Sequence, residues 1–398
     1  MKATLLLFTF AVGTTVYLMV LAVAACFFKK LKASSERFLK LTVVIPAHNE
    51  EQQIKAVISA IRKSRYPQEN CGLLVIADNC GDETASVARN AGARVFERAD
   101  PHNRGKGQAL DWFLKNHPNA YGQCDGVVVI DADTLVDAEF LHQISTGLSL
   151  DEVEAVQGFY GVSNPAESWR TALMAAALAV FHHVRPAGRN RIRGTAGLKG
   201  NGMAFRTEVL TRFGWHAHSI VEDLEFSTML LLNGILVHYF PDAIVYGEMA
   251  STRKQAESQR MRWEGGRFHI FARYAPQLLS AWVKSRKMAY LDDFMDLVSP
   301  PLYLLVLMLL ILFPPTLVFF PVLVPVVSGA VAAVAFYVCT GLVLRKAPPA
   351  VWLYLLAAPV FVAWKVPLYL GMLREKDRNR WIRTQRKQEI RKEERQAD

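Results

Sequence analysis

Hydrophobic residues are unevenly distributed along this chain. Residues 4–28 and 297–372 carry almost no charge, whereas the middle alternates short apolar runs with polar segments. The first stretch is long enough to cross a bilayer as a helix. Three lysines, at positions 29, 30 and 32, follow it directly. By the positive-inside rule, this predicts that the middle of the chain is cytosolic.

The middle of the chain predicts an α/β fold. Leu41–Pro46, Leu73–Ala77 and Val127–Ile130 are apolar runs of strand length, typical of strands buried on both faces. Between the first two, Gln53–Arg65 has the apolar spacing of an amphipathic helix. Strands that alternate with helices favour a parallel sheet wound in βαβ units.

Polar residues follow each of these strands, and the pair after the third strand is the most informative. Asp131 and Asp133 are one residue apart, and the crevice of an open α/β sheet lies beyond the strands' carboxyl ends. Two such carboxylates repel each other unless a cation lies between them, and hard oxygen ligands suit Mg²⁺ or Mn²⁺. The alternative is a pair that only caps the next helix. Asp78, after the second strand, has the same alternative.

Several motifs resemble family-2 glycosyltransferases, which have a GT-A nucleotide-sugar-binding fold with a mixed, mostly parallel sheet. They are Pro46-Ala47-His48-Asn49-Glu50, Asp78 to Asp82, the basic glycine loop Arg104-Gly105-Lys106-Gly107, Asp131-Ala132-Asp133, Glu222-Asp223, and Gln259-Arg260-Met261-Arg262-Trp263. The last fits the Q-x-x-R-W signature of the cellulose, chitin and hyaluronan synthases and of the ceramide glucosyltransferases. The resemblance covers Thr42 to Trp263.

The resemblance implies a role for each motif. The base and ribose of the donor would be held by Pro46, Ala47, His48, Glu50 and Asp78. Lys106 would approach the donor phosphates, and Asp131 with Asp133 would bind the metal that bridges them. Asp223 would be the general base of an inverting transfer, with Glu222 the alternative. The acceptor and the leaving diphosphate would be contacted by Asn201, Gly202, Gln259, Arg262 and Trp263.

The implied function is transfer of a sugar from a UDP-sugar to a growing β-linked polysaccharide, such as an exopolysaccharide. Single transfer to a membrane lipid is the alternative, since few predicted membrane crossings leave limited material for a polymer channel. A third possibility is a non-enzymatic relative that binds nucleotide or polymer as a sensor. Membrane lipids are expected partners, and subunits of an export system are possible ones.

The net charge of +10 changes this picture little. One basic group comprises Arg185, Arg189, Arg191, Arg193 and Lys199, and another spans 374–395. Juxtamembrane cations that meet anionic lipid explain both runs, so nucleic acid is not an expected partner. The five cysteines show no paired spacing, which favours a reduced, cytosolic domain.

These patterns divide the chain into four parts. Residues 1–35 are expected to hold a transmembrane helix, 36–280 the catalytic domain, 281–373 an interfacial helix and further membrane segments, and 374–398 a basic cytosolic tail. The protein is thus expected in the cell membrane, a bacterial inner membrane, as a multi-pass protein. Val23 to Cys26 also resembles a lipoprotein processing site, but the positive charge follows the apolar run instead of leading it.

Three apolar stretches lie near the end of the chain, at about Ser299–Val324, Val326–Leu344 and Val351–Leu373. Three crossings would place the basic tail outside the cytosol, which the positive-inside rule disfavours. We expect the third stretch not to span, because Lys365 would be costly at mid-depth and two prolines interrupt the run.

Overall fold

The computed structural model describes residues 2–31, 37–249 and 253–362. Their central feature is one sheet of eight strands in the order β3-β2-β1-β4-β7-β6-β8-β5. The strands are β1 (Leu41–Ala47), β2 (Cys71–Asp78), β3 (Arg94–Arg98), β4 (Gly126–Val129), β5 (Leu135–Val136), β6 (Ala155–Val162), β7 (Met203–Arg206) and β8 (Val237–Gly247).

The sheet is mixed and mostly parallel, as predicted. Strands β3, β2, β1 and β4 are parallel neighbours, and β6 is parallel to β8. Strand β7 lies antiparallel between β4 and β6, and β5 is antiparallel to β8 at the edge. Strands β1, β2 and β4 therefore end at the same edge, which brings the polar residues that follow them together.

Fourteen α-helices surround this sheet or extend from it in the described part of the chain. They are α1 (Lys2–Cys26), α2 (Ile54–Arg62), α3 (Thr84–Asn90), α4 (Lys106–Asn116), α5 (Phe140–Leu148), α6 (Trp169–Ala179), α7 (Arg185–Arg191), α8 (Thr207–Phe213), α9 (Glu222–Leu232), α10 (Arg253–Ser285), α11 (Met288–Val298), α12 (Leu302–Phe319), α13 (Val324–Leu344) and α14 (Pro349–Tyr354). A π-helical turn, Val180–Val184, joins α6 to α7.

The alternation of side chains along the strands builds a core on each face of the sheet. Val44 and Val127 pack into one core with Phe113 of α4, while Ile45 and Val128 pack into the other. Both sets are fully buried, which explains why these strands are apolar without interruption. Helix α2 confirms its predicted periodicity, because its apolar face is buried in the second core.

Within the described residues, three helices are long and apolar enough to cross a membrane. They cover Thr4–Cys26, Leu302–Phe319 and Pro321–Leu344, and the first corresponds to the predicted N-terminal span. Helix α1 packs against α7 and α13, so the N-terminal and C-terminal apolar helices meet in the fold. The third late stretch forms a shorter apolar helix over Pro349–Val362, and residues 363–398, with Lys365 and the basic tail, lie outside the described part. Its expected failure to span stays a prediction.

Candidate active site

A cavity of about 1160 Å³ opens beyond the carboxyl ends of β1, β2 and β4. The polar residues that follow those strands line it, together with the glycine loop before α4 and the first turn of α9. The lining residues include all of those predicted for the donor and the metal: Pro46, Ala47, His48, Glu50, Asp78, Lys106, Asp131 and Asp133. The sheet topology thus brings motifs that are far apart in the chain together in one site.

Lys106 links the glycine loop to the metal-site candidates. Its ammonium forms an ion pair with Asp131, with 2.5 Å between Nζ and Oδ1, and also donates to the carbonyl of Gly200. Burial would lower the pKa of Lys106, but Asp131 and Glu222 outweigh it and raise the pKa. Lys106 therefore remains a cation, held beside the carboxylate that ends β4.

Two glycines give this loop its shape. Gly105 has φ of 122°, a conformation that side chains rarely adopt, and it immediately precedes α4. A Cβ at Gly107 would lie 2.3 Å from the carbonyl oxygen of Ala217 and 3.1 Å from Cβ of Glu222. Only glycine allows the loop to pack this closely against the chain that leads to α9.

Asp78 is held in place by a residue that the sequence analysis missed. Arg98, at the end of β3, donates to Oδ1 of Asp78 at 2.6 Å, and both side chains are buried. His48 Nδ1 lies 2.7 Å from the carbonyl oxygen of Asp78, so it donates there and joins the first turn to the second strand. The sequence places this arginine at the carboxyl end of β3, the strand next to β2, and that position could have indicated a partner for Asp78.

Glu222 and Asp223 begin α9 and face the same cavity. Burial raises the pKa of Glu222 to about 7, and the neighbouring Asp223 adds to the shift. The pKa of Asp223 is also raised by burial, against the lowering effect of Lys106 and Lys199. Acids in a first helical turn often only complement the helix dipole. Here both stand in a cavity with raised pKa values, which suits proton transfer.

Asn201 and Gly202 lie behind the cavity wall, although the resemblance implied acceptor contact. The side chain of Asn201 is buried, accepts from the backbone N–H of Asp131 at 3.2 Å and donates to Thr134. A Cβ at Gly202 would lie 2.9 Å from Val245, and its φ of 66° favours glycine. In this structure Asn201 therefore positions the Asp131 turn. Its neighbour Gly200 lines the cavity.

The Q-x-x-R-W motif falls on the first half of α10. Gln259 and Trp263 are four residues apart on this helix, so they share a face. The side chains of Gln259, Arg262 and Trp263 lie outside the described part of the structure. Their implied contacts with acceptor and diphosphate stay predictions.

The expectation that the first basic group meets anionic lipid is wrong for three of its members. Arg185, Arg189 and Lys199 are buried, whereas Arg191 and Arg193 are exposed. The reason is the presence of acids on α11 that the sequence analysis did not single out. Arg189 pairs with Asp292 at 2.7 Å and Asp293 at 2.6 Å, and Arg185 pairs with Asp296 at 3.0 Å.

The far end of the cavity is mainly apolar, although Arg185 and Arg267, both paired with Asp296, also line the cavity. The apolar walls come from α6, the π-helical turn, α12, α13 and the helix Pro349–Val362, and they include Leu173, Leu178, Phe181, Leu302, Val306, Val334, Val338 and Leu355. Two of these helices, α12 and α13, are candidate membrane spans. One continuous cavity therefore joins a group of carboxylates to a wall of hydrocarbon side chains.

The fold resembles that of a solved protein. A mannosyltransferase from Pyrobaculum calidifontis, solved in complex with GDP-Man and Mn²⁺, superposes with a TM-score of 0.53 at 19% identity, covering 91% of this chain and 98% of that one. At this identity the likeness shows a shared fold.

Two relatives have names that refer to different products, a glucomannan and a monoglucosyldiacylglycerol. Glucomannan 4-beta-mannosyltransferase 7 of Arabidopsis thaliana is 24% identical over 64% of this chain and 48% of its own length. The beta-monoglucosyldiacylglycerol synthase of Trichormus variabilis is 25% identical over 62% of this chain and 53% of its own. The match thus spans only about half of each relative.

The family model described as "Glycosyltransferase like family 2" matches residues 39–266, more than half of the chain. That range begins before β1 and ends within α10, so it includes the whole sheet and every carboxylate of the cavity. With this match and the geometry of the site, the chain belongs to glycosyltransferase family 2.

Proposed function

We propose that this protein transfers a single sugar from a nucleoside diphosphate sugar to a membrane lipid, with inversion at the anomeric carbon. The observation that carries the proposal is the continuous cavity, polar at the sheet edge and apolar between α6, α12 and α13. A polysaccharide needs polar groups along its path, whereas a hydrocarbon chain needs apolar walls. The wall between these helices combines aliphatic side chains such as Val306 and Val334 with aromatic rings such as Phe181, and its apolar character favours the lipid.

The carboxylates at the sheet edge suit Mg²⁺ or Mn²⁺. Among the described residues, no group of three or more His, Cys, Asp and Glu side chains is arranged to hold a metal. Asp131 and Asp133 offer two hard oxygen donors, which fits an ion that completes its shell with substrate phosphates. Such an ion, when bound, would neutralise charge on the leaving diphosphate. Lys106 already holds a positive charge against Asp131 and would assist in this.

Asp223 is the proposed general base, with Glu222 as the alternative. The acceptor hydroxyl attacks the anomeric carbon while its proton passes to the carboxylate and the bond to the diphosphate breaks. Both carboxylates reach the cavity where its polar and apolar parts meet. Their raised pKa values make either one a stronger base than an ordinary carboxylate. The binding of a UDP moiety by Pro46, Ala47, His48, Glu50 and Asp78 is part of the same proposal.

Polysaccharide synthesis is the second candidate function. The Q-x-x-R-W motif on α10 favours it, because Trp263 would offer a surface on which a terminal sugar can stack. A processive enzyme should make shorter chains when Trp263 is replaced by alanine. An enzyme that glycosylates a lipid once cannot change its product length in this way.

The acceptor is tested with the purified chain in nanodiscs. A panel of UDP-sugars and GDP-mannose is supplied with either long-chain lipids or soluble oligosaccharides, and products are sized by mass spectrometry. We expect one sugar on lipid and release of one nucleoside diphosphate for each product. Elongation of oligosaccharides into polymer, with no glycolipid formed, would refute the proposal.

In the cell membrane, the catalytic domain is expected to lie on the cytosolic face. Labelling of Lys63, an exposed residue of that domain, from either side of the membrane can test this orientation.

A further inference from the structure

The buried charges around α7 and α11 form a balanced group. Three cations, Arg185, Arg189 and Arg267, face three carboxylates, and the pairs lie 2.6 to 3.8 Å apart. The carboxylates are those of Asp292, Asp293 and Asp296. Burial alone would raise the pKa of Asp296, but Arg189 and Arg185 outweigh it and lower the pKa. Each charge of this buried ionic cluster therefore has a counter-charge within it.

Lys199 adds a fourth cation beside this cluster, without a carboxylate of its own. Its side chain is 8% exposed, and within the described residues its ammonium makes no ion pair or hydrogen bond. Nζ lies 4.2 Å from the ring centroid of Phe181, on the cavity wall. Burial lowers the pKa of Lys199 to about 8, and Arg189 and Arg185 lower it further against Asp296. Buried charges in proteins are normally paired, so the ammonium of Lys199 is suited to bind an anionic group of a ligand.

The position of Lys199 separates it from the donor end. Gly200, the next residue, faces Asp223: a Cβ there would lie 3.3 Å from Oδ2 of Asp223. Lys106 binds the carbonyl of that same Gly200 from the donor side, whereas Lys199 packs on Phe181 of the π-helical turn. The proposed base thus has one lysine towards the metal-site carboxylates and another towards the apolar wall.

No other residue at this junction carries a free positive charge among those described. His182 also lines the cavity, but its Nδ1 lies 2.8 Å from the carbonyl oxygen of Tyr160 and therefore donates to it. Burial, together with Lys199, lowers the pKa of His182 to about 3, so the ring is neutral. Lys199 is thus the charge that an acceptor headgroup meets between the base and the apolar wall.

We propose that Lys199 binds a phosphate group on the acceptor, so that the acceptor is a phosphate-bearing lipid and not a neutral one. The inference rests on the proposed function. The phosphate can be a terminal monophosphate, whose oxygen itself attacks the sugar, or a phosphodiester beside a hydroxyl. In both cases a bond forms between an acceptor oxygen and the anomeric carbon, and the bond from that carbon to the diphosphate breaks. A hydroxyl also gives its proton to Asp223, whereas an ionised monophosphate has none to give.

The test uses the full chain in phosphatidylcholine nanodiscs with three acceptors of similar chain length. They are a long-chain lipid monophosphate, phosphatidylglycerol and diacylglycerol. The wild type is compared with Lys199→Met, which keeps the length of the side chain and removes the charge, and with Lys199→Arg. Lys29→Met is the matched control, because Lys29 is exposed beside the end of α1 and outside the cavity.

We expect the wild type to use at least one phosphate-bearing lipid in preference to diacylglycerol. Lys199→Met should raise the KM for that lipid about 10- to 100-fold, the worth of one charge-assisted hydrogen bond. Its dissociation constant for the nucleoside diphosphate should be unchanged. Lys199→Arg should recover part of the loss, and Lys29→Met should behave as the wild type does.

Three outcomes would overturn the inference. The first is a wild type that prefers diacylglycerol, a result that needs no variant. The second is Lys199→Met with an unchanged KM for every lipid. The third is an equal loss of nucleotide binding, which would assign Lys199 to the donor. All three leave lipid glycosylation standing, whereas a polymer product from oligosaccharides would refute the proposed function itself.

Discussion

Lys106 and Lys199 lie on the same cavity but in opposite electrostatic situations. Lys106 has Asp131 and a backbone carbonyl as partners, and its pKa is raised. Among the described residues, the ammonium of Lys199 contacts an aromatic ring and makes no ion pair or hydrogen bond, and burial lowers its pKa to about 8 although Asp296 and Asp223 act to raise it. Lys106 is partly buried, with its side chain 18% exposed, and Lys199 is 8% exposed, so the difference comes mainly from their partners. In the proposed division of the cavity, the donor end carries its own counter-charges, and the ammonium at the acceptor end has no ion-pair partner among the described residues.

The largest effect should come from breaking the donor end. Replacing Asp133 with alanine should reduce transfer by about 10³-fold or more, because the charge that develops on the diphosphate loses its main stabilisation. Sugar transfer is measured with radiolabelled donor, and thermal unfolding checks the fold. Chelation with EDTA should have the same effect on the wild type, and added Mg²⁺ or Mn²⁺ should reverse it. Full activity in EDTA would remove the metal from the mechanism.

Removing the proposed base should reduce the transfer rate slightly less than removing Asp133 does. Asp223→Asn keeps shape and hydrogen bonding but removes the proton acceptor, and we expect a 10²- to 10⁴-fold loss in kcat. Nucleotide binding, measured by calorimetry, should be nearly unchanged. Glu222→Gln is the matched variant. If Glu222→Gln reduces kcat more than Asp223→Asn does, Glu222 and not Asp223 is the general base.

The buried ionic cluster sharpens the comparison, because it shows what an unpaired buried charge costs. Arg189→Met leaves Asp292 and Asp293 without their cation, and removing one partner of a buried pair typically costs about 3 to 5 kcal/mol. The free energy of unfolding in detergent is the measurement. Arg191→Met, at an exposed position on the same helix, should change it by less than about 0.5 kcal/mol. Equal stability of the two variants would contradict the view that the cluster joins α7 to α11.

Lys106→Met tests the division between the two lysines directly. We expect nucleotide affinity to fall about 10- to 100-fold, since one charge-assisted contact is lost. The KM for the lipid should not change. The Lys106 and Lys199 variants are each measured with both substrates, the nucleotide and the lipid. A variant of either lysine that weakens binding of both substrates equally would show that the cavity is not divided.

The change of activity with pH should be smaller than the effects of these substitutions. A general base acts only when it is deprotonated, and burial raises the pKa of the Glu222 and Asp223 carboxylates. With Asp223 as the base, activity should therefore be lost at a pH above the ordinary carboxylate value of about 4, and with Glu222 as the base it should be lost as the pH falls through about 7. The measurement is kcat/KM from pH 5 to 9 with saturating metal. An acid limb near pH 4 would show that the base is an unperturbed carboxylate.

Much of the donor site could be predicted from the sequence because its residues are local to strand ends. Apolar runs such as Val127–Ile130 identify buried strands, and Asp131 and Asp133 follow one of them directly. Parallel strands share an edge, so the meeting of these motifs follows from the fold class. The glycine loop before α4 is local in the same way, and its Gly105 has the positive φ that such a loop allows.

The acceptor end could not be predicted, because it depends on residues far apart in the chain. Arg189 and Asp292 are separated by 103 positions, and a cluster of arginines alone is equally consistent with a membrane surface. The positioning role of Asn201 was missed for the same reason, since it lies 70 positions from Asp131. By itself the sequence determined the family, the sheet, the candidate membrane helices and the carboxylates at the sheet edge. Only the tertiary structure decided which cations are paired, because burial and pairing depend on what α7 and α11 place around each charge.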